Sequence, residues 1–144
     1  GSGAEKSTLL KKKELEEIDN VTILDSVSKA EIINYLSLLD IALINLKKAE
    51  LFKTVIPSKI FENAAMGIPI LLGVDGESRE MLEKYNAGLF FEPENEIDFL
   101  DKLDKIMKPE NMRLFKNGGL VLAADFNRKK LGLSMLSKLE EVMN

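Results

Sequence analysis

The chain has 144 residues with 20 basic and 24 acidic side chains, a net charge of -4 and 45% hydrophobic content; it can bury a core without disulfides or metals. Its acidity weighs against nucleic acid or an anionic membrane as the main partner, and with neither cysteine nor histidine it lacks disulfides, thiolate chemistry and the commonest metal ligand and general base. No apolar run approaches the roughly 20 residues of a membrane-spanning helix, and Gly1-Ser2-Gly3 followed by a charged segment lacks a signal-peptide pattern.

Without an initiator methionine, the chain is expected either to carry added residues at 1–3 or to begin inside a longer protein. Residues 4–18 place Leu9, Leu10, Leu15 and Ile18 among many Lys and Glu, a loose helical period with one solvated face. Val21-Thr22-Ile23-Leu24, between Asp19-Asn20 and Asp25-Ser26, predicts a short strand. Ser28 followed by Glu31 is a capping box that opens a helix to about Leu39. Ile41-Ala42-Leu43-Ile44 is apolar at consecutive positions, as in a parallel strand covered on both faces.

A polar, basic loop occupies 47–56. Pro57 suits the first turn of a helix through about Met66, and Gly67 is a natural stop. Ile68-Pro69-Ile70-Leu71-Leu72 predicts a third strand with the proline at its start. A helix over 77–86 ends at Asn86-Ala87-Gly88, and Leu89-Phe90-Phe91 forms a fourth strand. Helices follow over 96–107, 110–124 and 127–143, the middle one weakened by Gly118-Gly119. Phe90, Phe91, Phe99, Phe115 and Phe126 read as core, and Lys11-Lys12-Lys13 as a solvated face.

Alternating strands and helices with connections too long for hairpins predict an open, doubly wound parallel α/β sheet, Rossmann-like, closed by two C-terminal helices. The expected division is an α/β domain over 1–124 and a C-terminal helix over 125–144. Ligands bind such sheets beyond the carboxyl ends of the strands, which points to the loops after Leu24, Leu46, Leu72 and Phe91. A helix starting at Pro57 would turn its free amides into that crevice beside Lys53, Ser58 and Lys59, an anion site suited to a diphosphate. Glu62, one turn further on, is placed either to accept bonds from a ribose diol or simply to pair with Lys59 on the surface. Ser58 can equally cap the helix, and Glu80 fits a first-turn carboxylate favoured by the helix dipole.

The run from Lys53 to Ile70 resembles the retaining glycosyltransferases of the GT-B architecture, family 4, in which a helix with Glu, seven residues and Glu ends in Ala-x-Gly-x-Pro. The second glutamate falls on Glu62 and the tail on Ala65-Met66-Gly67-Ile68-Pro69-Ile70, while Thr54 occupies the first glutamate's position. Pro57-Ser58-Lys59 before Glu62 is similar to the branch that builds bacterial surface polysaccharides from amino-sugar donors, near the fucosamine transferases. The likeness extends over Gly1–Glu5, Asn20–Leu24, Asp40–Leu43, Gly73–Glu80 and Ala87–Pro93.

The resemblance implies the donor-binding C-terminal domain, with Glu62 on the ribose and Lys53, Thr54, Ser58 and Lys59 toward the diphosphate or sugar. Ser26 and Val27 would face the nucleobase. It implies a UDP-linked sugar donor, a polysaccharide or lipid-linked acceptor bound through an N-terminal domain, no metal and no other cofactor. The enzyme would lie in the cytoplasm, peripheral at the inner face of the membrane, as part of capsule or lipopolysaccharide synthesis. The family's domain has two further strands before the point where this chain starts, central in the order 3-2-1-4-5-6. A strand at 21–24 would then lack a neighbour and the 41–46 edge would be open, to be completed by another segment or a second copy, and this chain alone would be inactive. Competing readings are a non-catalytic nucleotide-sugar-binding subunit, a GT-B-type nucleotide-sugar epimerase, and a receiver-like regulatory domain, whose aspartates Asp25, Asp40 and Asp75 do not match.

Overall fold

The computed structural model describes residues 1–143, which divide into two compact units, Gly1–Leu38 and the described residues from Leu39 onward. In the first unit, α1 (Lys6–Leu15) and the short α2 (Ile32–Leu36) are the regular elements. The capping box forms as expected: Ser28 N–H donates to Glu31 Oε2 at 3.0 Å and Glu31 N–H to Ser28 Oγ at 3.3 Å. The strand predicted at 21–24 does not form. Val21 and Leu24 are exposed, and no strand lies alongside to take their amides and carbonyls. The Leu24 carbonyl instead accepts from the Gly1 ammonium, while Lys6 pairs with Asp25.

The second unit carries a three-stranded parallel sheet in the order β1 (Ala42–Asn45), β2 (Ile70–Gly73), β3 (Gly88–Phe90). Ala42 stands beside Ile70, and Ile70 beside Gly88. The crossovers run through α3 (Lys59–Ala65) and α4 (Glu77–Tyr85), and α5 (Glu96–Ile106), α6 (Pro109–Asp125) and α7 (Arg128–Met143) follow the last strand. Element order and the open parallel sheet match the expected architecture; boundaries shift by one to four residues.

β2 is buried on both faces. Ile70 and Leu72 join Ile44, Ile60, Ala64, Leu82 and Leu122 in one cluster, while Leu71 joins Phe91, Ile106 and Phe115 in a second. Helices therefore cover the sheet on both sides, the doubly wound arrangement. β1 departs from expectation, because only Ala42 and Ile44 are buried and Leu43 is 52% exposed. The apolar run reads as two covered faces, but the helices over the second face pack on β2 and β3. Among the described residues β1 pairs with β2 alone.

Of the five phenylalanines read as core, Phe91 and Phe115 are buried, while Phe90, Phe99 and Phe126 are partly covered. Phe99 meets Phe91 edge-on at 5.2 Å, and the Arg79 guanidinium lies 4.2 Å from the Phe90 ring. The helix α7 buries none of its side chains.

Gly118 has a role that helix propensity does not reveal. A Cβ there would stand 2.1 Å from the Asn86 carbonyl oxygen and 2.2 Å from that of Tyr85, so α6 approaches the end of α4 backbone to backbone. Propensity alone would make Gly118→Ala stabilising by about 1 kcal/mol. The close approach reverses the sign, and urea unfolding of Gly118→Ala is expected to show a loss of about 1–3 kcal/mol, as for other overpacked contacts. A gain would contradict this packing.

Candidate functional site

The three strands end side by side, and the loops leaving their carboxyl ends enclose a cavity of about 250 Å³. After β1 come Lys47, Lys48 and Ala49, then a 3-10 helix (Glu50–Thr54) that contributes Glu50, Phe52 and Lys53. After β2 come Val74 and Asp75, and after β3 Glu92 and Pro93. Parallel topology explains the location, since every strand delivers its loop to the same edge of the sheet.

Two features fix the 53–55 segment against the loop after β2. Gly76 has φ +80, and a Cβ on it would fall 2.1 Å from the Lys53 carbonyl oxygen. Only glycine combines that backbone conformation with so close an approach. The Ser78 hydroxyl, fully buried, donates to the Val55 carbonyl at 2.5 Å. The loop after β3 is held in the same manner by Asp98 of α5, whose Oδ2 accepts from the Glu92 N–H at 2.7 Å and whose Oδ1 accepts from Lys102 at 2.8 Å. Asn95 caps that helix by accepting from the Asp98 N–H.

The walls carry both signs of charge. Lys53 pairs with Glu50 at 2.8 Å and Lys48 with Glu92 at 2.5 Å. Asp75 accepts from Arg79 at 3.5 Å. The bond from the Gly76 N–H, the largest cause, and then Arg79 hold the Asp75 carboxyl below its ordinary value. The Lys48 and Lys53 ammonium groups are pushed up, each chiefly by the hydrogen bond to its glutamate. Lys48 and Lys53 thus stand as cations on walls that also carry Lys47 and the apolar surfaces of Phe52 and Pro93.

Of the residues singled out from sequence, Lys53 lines this cavity. Thr54 closes the 3-10 helix and is exposed. Ser58 occupies the position before α3 but its side chain makes no cap. The helix opens at Lys59, two residues later than Pro57, and contains seven residues. The Ile60, Phe61 and Glu62 amides are already bonded to the Pro57 and Ser58 carbonyls at 3.0–3.3 Å. Lys59 and Glu62 are both exposed, and they form no ion pair with each other. Ser26 and Val27 belong to the first unit, where the Ser26 hydroxyl donates to Ser2 Oγ at 2.9 Å. Glu80 sits in the first turn of α4, exposed, as its surface reading expects.

Lys47, Lys48, Phe52, Asp75 and Glu92 were not singled out from sequence as site residues. The signal that could have found them was positional: each lies in a loop that follows a strand of the parallel sheet. Among the described residues no group of three or more Asp or Glu side chains is placed to share a metal ion. No helix among them is long and apolar enough to cross a membrane.

The anchoring of Glu92 by Asp98 makes a pH prediction. Lys102, the largest cause, and the Glu92 amide depress the Asp98 pKa, so its contribution to stability is present above the unfolded-state value and lost as pH falls through the lower folded one. Asp98→Asn is expected to lower the melting temperature at pH 7 and to differ from wild type much less near pH 2. An undiminished difference at pH 2 would remove the charged form from the account.

Residues 1–116 match the family model described as glycosyl transferases group 1. In fold, the chain is similar to the sucrose-phosphate synthase of Thermosynechococcus elongatus, with a TM-score of 0.74 at 16% identity over 99% of this chain and 35% of that one. It is also similar to the C-terminal domain of a glycosyl transferase group 1 family protein (LpcC) from Francisella tularensis, with a TM-score of 0.64 at 20% identity over 84% of this chain and 61% of that one. The chain thus spans less than two thirds of either structure. No curated protein sequence matches it.

Proposed function

The chain belongs to the glycosyl transferases group 1 family, and from that premise we propose that its second unit binds the nucleotide-diphosphate sugar donor of a glycosyltransferase. The observation that carries the proposal is the cavity at the carboxyl ends of β1, β2 and β3, with Lys47, Lys48 and Lys53 on its walls. Three cations around a space of about 250 Å³ suit a diphosphate and part of a sugar. That volume is below the ~300–1,000 Å³ typical of complete ligand sites, so the nucleoside would extend outside it.

Glu62 supplies the ribose contact in this reading. Its carboxylate is exposed, lies on α3 shortly after the cavity-lining 3-10 helix in sequence, and has two oxygens that suit a vicinal diol. Lys53, Thr54, Ser58 and Lys59 would serve the diphosphate and sugar. The donor is proposed to be UDP-linked with an N-acetylated amino sugar, on the likeness of Pro57-Ser58-Lys59 to that branch. The acceptor would be a growing polysaccharide or lipid-linked glycan, bound by a further domain at the inner face of the membrane. Transfer with retention of configuration is part of the same proposal.

Calorimetric titration with UDP tests it. The wild-type chain is expected to bind UDP in preference to ADP and GDP, and Glu62→Ala to lose about ten-fold or more, the range for a hydrogen bond to a charged group. Unchanged UDP affinity in Glu62→Ala would remove the ribose assignment.

A further inference from the structure

We propose that Lys48 is an anion-binding residue of the cavity and that Glu92 is its displaceable partner, so that a ligand phosphate and the Glu92 carboxylate compete for one ammonium group. The proposal rests on the donor-site reading and adds two residues to it.

Lys48 follows β1 and Glu92 follows β3, strands on opposite sides of β2, and both side chains line the cavity. Two carboxylates join the loops. Glu92 Oε1 lies 2.5 Å from Lys48 Nζ, and Glu94 Oε1 accepts from the Lys48 N–H at 3.2 Å. Glu94 adopts φ 65, a conformation uncommon outside glycine, in making that contact. The other lysines differ: Lys53 is held by Glu50 within its own turn, and Lys47 has no ion pair among the described residues. Only the Lys48 pair spans two loops of the cavity.

The pair is poised to open. The side chains are 64% and 40% exposed, and an ion pair so well hydrated is weak. A diphosphate presents more negative charge and more acceptor oxygens than one carboxylate, and so outcompetes it. Release of the side chain leaves the loop in place, because Asp98 holds Glu92 through its backbone amide. Since the glutamate raises the lysine's pKa, the ammonium stays charged with either partner, and the exchange needs no proton transfer.

The test is calorimetric titration of the whole chain with UDP and with inorganic pyrophosphate, using wild type, Glu92→Gln, Lys48→Met and the double variant. Both side chains are on the surface, so these variants keep the fold. Glu92→Gln is expected to bind both ligands about two- to five-fold tighter, the range of an exposed ion pair, and Lys48→Met to bind them at least about five-fold weaker. Adding Glu92→Gln to Lys48→Met should then bring no gain. An equal gain in that background would reduce Glu92 to general repulsion and overturn the pairing. Equal affinities of wild type and Glu92→Gln would overturn the competition and leave the donor site standing. Absence of UDP binding in all four forms would contradict the donor site itself, and the competition with it.

Discussion

Everything in the second unit depends on the burial of β2. Ile70, Leu71 and Leu72 are essentially inaccessible, so the strand must have a neighbour on each edge to satisfy its backbone and a helical layer on each face to cover its side chains. β1 and β3 meet the first need through registers that set Ala42 and Gly88 against Ile70. α3, α4 and part of α6 meet the second on one face, α5 and the start of α6 on the other. Once the strands are parallel, their carboxyl ends lie together. The loops that form the cavity are brought into contact by that alone.

The loops are then fixed by a few polar bonds and close approaches. Gly76 admits the Lys53 backbone, Ser78 holds the Val55 carbonyl, and Asp98 holds the Glu92 amide. None of these residues contributes a charge to the centre of the cavity. They keep the charged side chains of Lys48, Lys53, Asp75 and Glu92 on walls whose separation is set by the sheet.

Much of the fold was legible in the sequence because hydrophobic period and terminator residues agreed. Gly67 ends α3 with φ +66, and Asn86 ends α4 with φ 50, each where the chain calls for a left-handed residue. The segment at 21–24 failed for a tertiary reason: β-branched residues favour a strand only where another strand is there to pair. Leu43 failed similarly, since periodicity cannot say which face lacks a helix. The cavity was partly legible. Strand-end logic pointed to the loops after β1, β2 and β3 that line it. Lys53, singled out from the basic loop before Pro57, lies on its wall, whereas Glu62 and the loop after Leu24 do not line it. Lys48, Asp75 and Glu92 come together only through the register of three strands, and neighbours in sequence give no sign of it.

The most direct test of the account is amide chemical-shift mapping of the whole chain during titration with UDP. The account predicts that the largest shifts fall on residues 47–53, 74–76 and 92–94, with a further set around Glu62. Saturable shifts confined to other parts of the chain would contradict it, because the ligand would then bind away from the carboxyl ends of the strands.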